Sequence, residues 1–365
     1  MSELNNKQQK EIILFRTVGL VDKYNFFEYI SVMLDGGVGI TEALVSVNSK
    51  IASPFFKQKI SELITYINSG DSFSRAMRKI PSVFNLSEVY MIEAGEATGE
   101  LSESLMKLSD DLKKTYDLRK KIKGSLTYPT IILLFVFLAI AIVMTYVVPA
   151  IKPLFADSGT ELPYVTQTLI GASDFIVNNF ILILLIIFTV VVGSVFYFTG
   201  SNSGKLMKEK ILLGTPLIGR VYKNYVLASI ASTLGNLVGS GVSIIKSLDL
   251  TGRASNSMTY EHLFEEVKEK VSTGNGIVKS MEDVDKEHIY FPSDYLQMLS
   301  VGERTANIEE ISKKLNKQYE KEVDYALANL TKWIEPLAIL FAGIFVLWFV
   351  FGIFSAIMKV TDTIA

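Results

Sequence analysis

The chain has 365 residues, no cysteine and 2 histidines, and its 36 Lys and Arg nearly balance 38 Asp and Glu, for a formal charge of -2. That composition excludes disulfides, thiolate metal sites and cysteine nucleophiles, and it gives no global electrostatic case for nucleic-acid binding. The positive mean hydropathy is high for a water-soluble chain and directs attention to membrane segments.

Residues 1–21 read as a polar N-terminal tail with one apolar cluster, Ile12-Ile13-Leu14-Phe15. They lack an early apolar core and a small-residue cleavage site, so no secretory signal peptide is expected. Residues 22–124 read as a helical domain. Phe26, Phe27, Ile30, Met33 and Leu34 make one apolar face, and Gly36-Gly37-Val38-Gly39 breaks it. Ile40, Ala43, Leu44 and Val47 resume it, and Ser53-Pro54 opens a third helix. Gly70-Asp71-Ser72 ends that helix and caps a short fourth one, Phe84–Ile92 form a fifth, and a sixth starts at Leu101. Between the last two, the run Glu93–Glu100 has a turn-like composition. Apolar spacing of three and four, with almost no alternation, makes the domain all-α.

The sixth helix carries a basic collar, Arg119, Lys120, Lys121 and Lys123, and then loses all charge from Tyr128 to Val148. About 20 apolar positions suffice for one helical membrane crossing. Residues 125–149 are therefore the first transmembrane helix. A loop (150–174), a second span (175–199) and a linker (200–221) follow.

The domain then recurs. A constant shift of 207 positions aligns Met91 with Met298, Gly95 with Gly302, Glu96 with Glu303, Glu103 with Glu310, Lys107 with Lys314, Asp117 with Asp324 and Pro129 with Pro336. Upstream the shift is 204, pairing Gly37 with Gly241, Leu44 with Leu248, Gly70 with Gly274 and Met77 with Met281. A three-residue insertion before Phe291-Pro292 accounts for the change. This is an internal duplication: a second helical domain at 222–333, a third span at 334–358 and a tail at 359–365. The fold class is an all-α integral membrane protein with two repeated six-helix bundle domains and three transmembrane helices.

Lysine and arginine set the orientation. They concentrate on the domain side of every span, whereas 150–174 carries only Lys152 and the tail only Lys359. Both domains are expected in the cytoplasm, with the loop and C-terminus outside.

No catalytic signature is present: no P-loop, no paired zinc histidines and no Gly-x-Ser-x-Gly elbow. No cofactor or metal is expected. The apolar stretches 128–148, 175–198 and 337–358 hold no Asp, Glu, Lys, Arg or His, which argues against a transporter, a pump or an intramembrane protease. The residues left for function are the Gly-Glu turns and the membrane junctions. Gly95, Glu96, Gly99, Glu100 and Glu103, with Gly302 and Glu303, form either a tight helix–helix connection with solvated carboxylates or an acidic edge for a partner or a divalent cation. Arg119, Lys120, Lys121 and Lys123, with Pro129 and Pro336 at the span entries, mark where the helices meet the headgroups of the lipid bilayer. Gly343, Gly352 and Ala356 would let the third span approach another helix closely.

In order and spacing these residues resemble the type II secretion F / type IV pilus PilC family of inner-membrane platform proteins. The matching features are Leu34–Val38, the Gly-Glu-x-Thr-Gly-x-Leu run at 95–101, Tyr128-Pro129, Val147-Val148-Pro149 and Leu162-Pro163. Pro216-Leu217-Ile218-Gly219 and Glu335-Pro336 complete the set. The resemblance implies a non-enzymatic platform in the bacterial inner membrane. Its implied partners are a cytoplasmic hexameric ATPase, pilins or pseudopilins, other inner-membrane assembly proteins and further copies of itself. The alternative is a membrane scaffold or receptor for another secretion or DNA-uptake complex.

Overall fold

A computed structural model describes residues 18–156 and 162–364. Among them every regular element is helical. The chain divides into two units. The first joins the N-terminal 120 residues to 220–323, and the second holds 121–219 and 324–365.

In the first unit, the leading repeat comprises α1 (Leu20–Asp35), α2 (Ile40–Lys50), α3 (Pro54–Asn68), α4 (Phe73–Arg78), α5 (Leu86–Thr98) and the start of α6 (Leu101–Ile142). The breaks fall where local chemistry puts them. Gly37 and Gly70 take φ of 81° and 96°, the left-handed turn that side-chain-bearing residues avoid. Ser53 accepts the Phe56 N–H with Pro54 in the first turn, and Ser72 caps α4. Asn85 and Glu88 form a reciprocal capping box that starts α5.

The run Glu93–Glu100 departs from its turn-like expectation. Helix α5 continues through Thr98, and only Gly99, at φ 78°, turns the chain. Ala94, Glu96 and Ala97 are good helix formers, so the helix stops only at Gly99, which adopts the left-handed cap. The described part of the expected N-terminal tail is short, because α1 opens at Leu20. Ile12-Ile13-Leu14-Phe15 lie outside the described residues.

The second repeat follows the same order: α11 (Ile218–Gly239), α12 (Ile244–Ala254), α13 (Met258–Ser272), α14 (Ile277–Val284), α15 (Ser293–Arg304) and the start of α16 (Ile308–Ile364). The duplication extends to the cores. Phe56, Met77 and Phe84 are buried in one, and their counterparts Tyr260, Met281 and Phe291 in the other. Phe26 packs edge-on against Phe27 and Phe56, and Tyr260 and Phe264 do so against Phe291. The extra residues before Phe291 form a loop tied by Asp285, whose carboxylate accepts the N–H groups of Ile289, Tyr290 and Phe291.

The cores also differ. Lys23 and Glu88 form a buried ion pair at 2.7 Å in the first repeat. Their counterparts in the second are Leu227 and Tyr295, both fully buried. One copy therefore fills the space with charge and the other with uncharged bulk.

In the second unit, α6 ends in one turn of π-helix at Val143–Val147 and continues as α7 (Val148–Ala156). Then come α8 (Tyr164–Asn178), α9 (Phe180–Gly200), α10 (Asn202–Gly214) and the remainder of α16. Among the described residues, three stretches are long and apolar enough to cross a membrane: within Leu101–Pro153, Phe180–Phe198 and within Ile308–Lys359. Within segment 150–174, expected as a loop, the described residues are largely helical. Val165, Leu169 and Ser173 recur at helical spacing there, a pattern too short to stand out in sequence. The chain breaks at Asn179, so the central apolar helix opens at Phe180 rather than at 175. Most of the expected linker 200–221 is α10, which contains no proline before Pro216. The tail past 358 continues α16 as far as Ile364.

Candidate functional site

The Gly-Glu pairs sit inside the bundles. Helix α4 is a single short segment whose first N–H groups have no partner of their own. Glu96, reaching across from α5, supplies one. Its carboxylate accepts the Phe73 N–H at 2.6 Å, the Ser74 N–H at 3.2 Å and the Ser74 hydroxyl. Glu303 does the same for α14, accepting Ile277 N–H at 2.5 Å and Val278 N–H at 3.1 Å. A carboxylate at a helix N-terminus satisfies orphan donors and interacts favourably with the helix dipole. The neighbouring glycines allow the helices to meet. A Cβ on Gly95 would lie 2.6 Å from the Ser104 Cβ on α6, and one on Gly302 would lie 3.0 Å from the Ile311 Cβ on α16. Gly99 has Ala306 as its counterpart, and Ala306 holds the same left-handed turn at φ 52°.

The rest of the acidic edge is exposed, and its members do not converge. Glu93 pairs with Arg78, Glu100 accepts from the Thr98 hydroxyl at 3.4 Å, and Glu103 pairs with Lys107 at 2.8 Å. The Lys107 ammonium bonded to Glu103 holds that carboxyl below its ordinary range, and Lys314 does the same for the repeat-related Glu310. Among the described residues, no three His, Cys, Asp or Glu side chains gather as metal ligands would.

At the junction, the Arg119 Nε donates to the Tyr225 hydroxyl at 3.0 Å, and Lys121 pairs with Asp324 at 2.6 Å. Lys120 and Lys123 are exposed. Pro129 and Pro336 lie within α6 and α16 without ending them. Each costs one helix hydrogen bond, which the long helix absorbs.

Sequence reasoning missed the seam between the two repeats. Leu237 and Leu250 of the second repeat belong to the core of the first. Tyr90 lies between the Arg78 guanidinium, 4.9 Å from its ring centre, and the Lys246 ammonium at 4.7 Å. Asp111 on α6 accepts the Ser232 hydroxyl on α11, and burial there pushes its carboxyl above the usual range. No local pattern marks these residues, because their partners in the other repeat lie more than a hundred positions away.

A protein of this class is a membrane-embedded, repeat-built helical bundle in which single helices run from packed soluble-type cores into apolar segments. The family described as type II secretion system (T2SS), protein F, matches it twice, at residues 26–149 and 230–356. The chain belongs to that family. It is 31% identical over 353 residues to the type IV pilus assembly protein PilC of Thermus thermophilus, covering 96% of this chain and 86% of that one. It is 29% identical to the PilC of Myxococcus xanthus, over 93% of this chain and 80% of the relative. It is 26% identical to the type II secretion system protein F of Pseudomonas aeruginosa, over 92% and 82%.

Proposed function

We propose that the chain is the inner-membrane platform of a type IV pilus or type II secretion machine. In this reading it couples a cytoplasmic hexameric ATPase to the polymerisation of pilins or pseudopilins and has no catalysis of its own. Both domains face the cytoplasm, as the lysine and arginine distribution favours. The observation that carries the reading is the continuity of α6 and α16, 42 and 57 residues long, through their prolines. A hydrogen-bonded rod transmits rotation or displacement without chemistry, and the chain contains no nucleotide-binding motif of its own. Glu96 and Glu303 are engaged within the bundles, so the partner-contact role narrows to the exposed carboxylates of Glu100 and Glu103.

The test breaks the rod. A Gly-Ser-Gly-Ser insert after Lys123 is placed in a chain that also carries Tyr164→Cys as a reporter. In intact cells an impermeant thiol reagent is expected to label the reporter, because Tyr164 lies on the outer side of the proposed topology. ATPase pull-down should survive, while fibre assembly or secretion fails. Normal assembly by an inserted, expressed variant would overturn the lever. An unlabelled reporter in the otherwise unaltered chain would overturn the topology.

A further inference from the structure

The π-turn at Val143–Val147 shifts the hydrogen-bond register of the helix immediately before a proline. The Val148 N–H bonds to the Val143 carbonyl, one residue further back than in an α-helix. In that register the next carbonyl, Met144, faces the nitrogen of Pro149, which carries no hydrogen. An orphan carbonyl in an apolar setting is costly unless another group fills it. Ser173 on α8 does so: its hydroxyl donates to the Met144 carbonyl at 2.5 Å, and both residues are buried. Two turns earlier on the same helix, the buried Thr166 hydroxyl donates to the Gly352 carbonyl of α16 at 2.6 Å. Leu169 lies between them and is itself buried. A Cβ on Gly352 would come within 3.1 Å of its Cδ2 atom, so the glycine lets α8 lie close to α16. Met144, Val148 and Leu169 form a small core with Phe345, Trp348, Phe349 and Ile353 packed around it.

We propose that α8 is a clasp. Its stripe Thr166-Leu169-Ser173 locks a proline-made hinge in α6 and ties that hinge to α16. The device exists on one copy of the repeat only. The counterpart of Pro149 is Ala356, and α16 passes it without a π-turn. One long helix therefore carries a π-turn at this position and the other does not, and α8 decides whether the joint is held. The inference does not depend on the platform reading, because its readout needs neither pili nor secretion.

The experiment is hydrogen exchange on the full chain in lipid nanodiscs, read on peptides covering 143–151 and 164–170. Ser173→Ala leaves the Met144 carbonyl unfilled, and exchange over 143–151 should rise about fivefold or more. Adding Pro149→Ala restores an N–H in the position facing that carbonyl and should return exchange towards the original rate. Thr166→Val should speed exchange over 164–170 by releasing α8 from α16. If Ser173→Ala does not accumulate in the membrane, Ser173→Thr, which keeps the hydroxyl, must accumulate normally with unaltered exchange. Unchanged exchange in Ser173→Ala, no rescue by Pro149→Ala, or failure of Ser173→Thr alongside Ser173→Ala would each overturn the clasp.

Discussion

Removing the Glu96 carboxylate should loosen α4 while leaving the rest of the bundle in place. Glu96 holds two backbone N–H groups and one hydroxyl at the start of a six-residue helix. A hydrogen bond to a charged group contributes about 1.5–3 kcal/mol, and a carboxylate at a helix N-terminus adds about 0.3–1 kcal/mol. The site is half-buried, so these values are discounted for solvent access. Glu96→Ala should then cost about 3 kcal/mol, which is roughly a hundredfold in the opening equilibrium of α4. Glu96→Gln keeps one acceptor oxygen without the charge and should cost about half as much, roughly tenfold. Glu303→Ala removes two such bonds and should open α14 by about thirtyfold. Hydrogen exchange by mass spectrometry on the full chain, read on peptides 73–80 and 277–284, measures each opening separately. Glu100→Ala is the control, since that exposed carboxylate accepts from the Thr98 hydroxyl and caps neither helix, and it should change neither peptide. If Glu96→Ala leaves peptide 73–80 unchanged, or if Glu100→Ala has the same effect, the motif is not a helix cap.

Two further outcomes follow from buried charge. Lys23→Leu strands Glu88 in the core and should destabilise the first repeat by about 3–5 kcal/mol, whereas the double change Lys23→Leu with Glu88→Tyr copies the second repeat and should recover most of that. Denaturant unfolding followed by circular dichroism reads both; equal losses for the single and double variants would show that the two cores are not interchangeable at this position. Asp111 supplies the pH dependence. Burial raises its folded pKa above that of a free aspartate, so it favours the folded state at low pH and loses that contribution as pH rises through the folded pKa. Asp111→Asn keeps an acceptor for Ser232 and removes the penalty. The variant should be the more stable chain at neutral pH, with the advantage shrinking as pH falls through the raised folded pKa and gone below about pH 4. A pH-independent difference in melting temperature would contradict this account.

Much of this protein follows from short-range pattern. The helix breaks at Gly37 and Gly70, the caps at Ser53 and Ser72, the charge-free spans and the duplication are set by neighbouring residues or by direct comparison of one copy with the other. Each is legible because the physics that causes it acts within a few positions. The functional meaning of particular side chains is not legible in that way. Glu96 reads as part of an exposed acidic edge because Glu93, Glu100 and Glu103 lie near it, and Glu303 as its repeat counterpart, yet both carboxylates are taken up by helices that begin more than twenty residues upstream. Lys23 looks like one more surface lysine on an amphipathic helix until Glu88 meets it. Segment 150–174 reads as a loop because its prolines and short apolar runs break periodicity. Only the packed structure shows that Ser173 completes a hydrogen bond that Pro149 cannot make. A chain's local propensities decide where helices start and stop. Which buried polar group satisfies which depends on segments brought together from far apart, and that is decided only when the bundle closes.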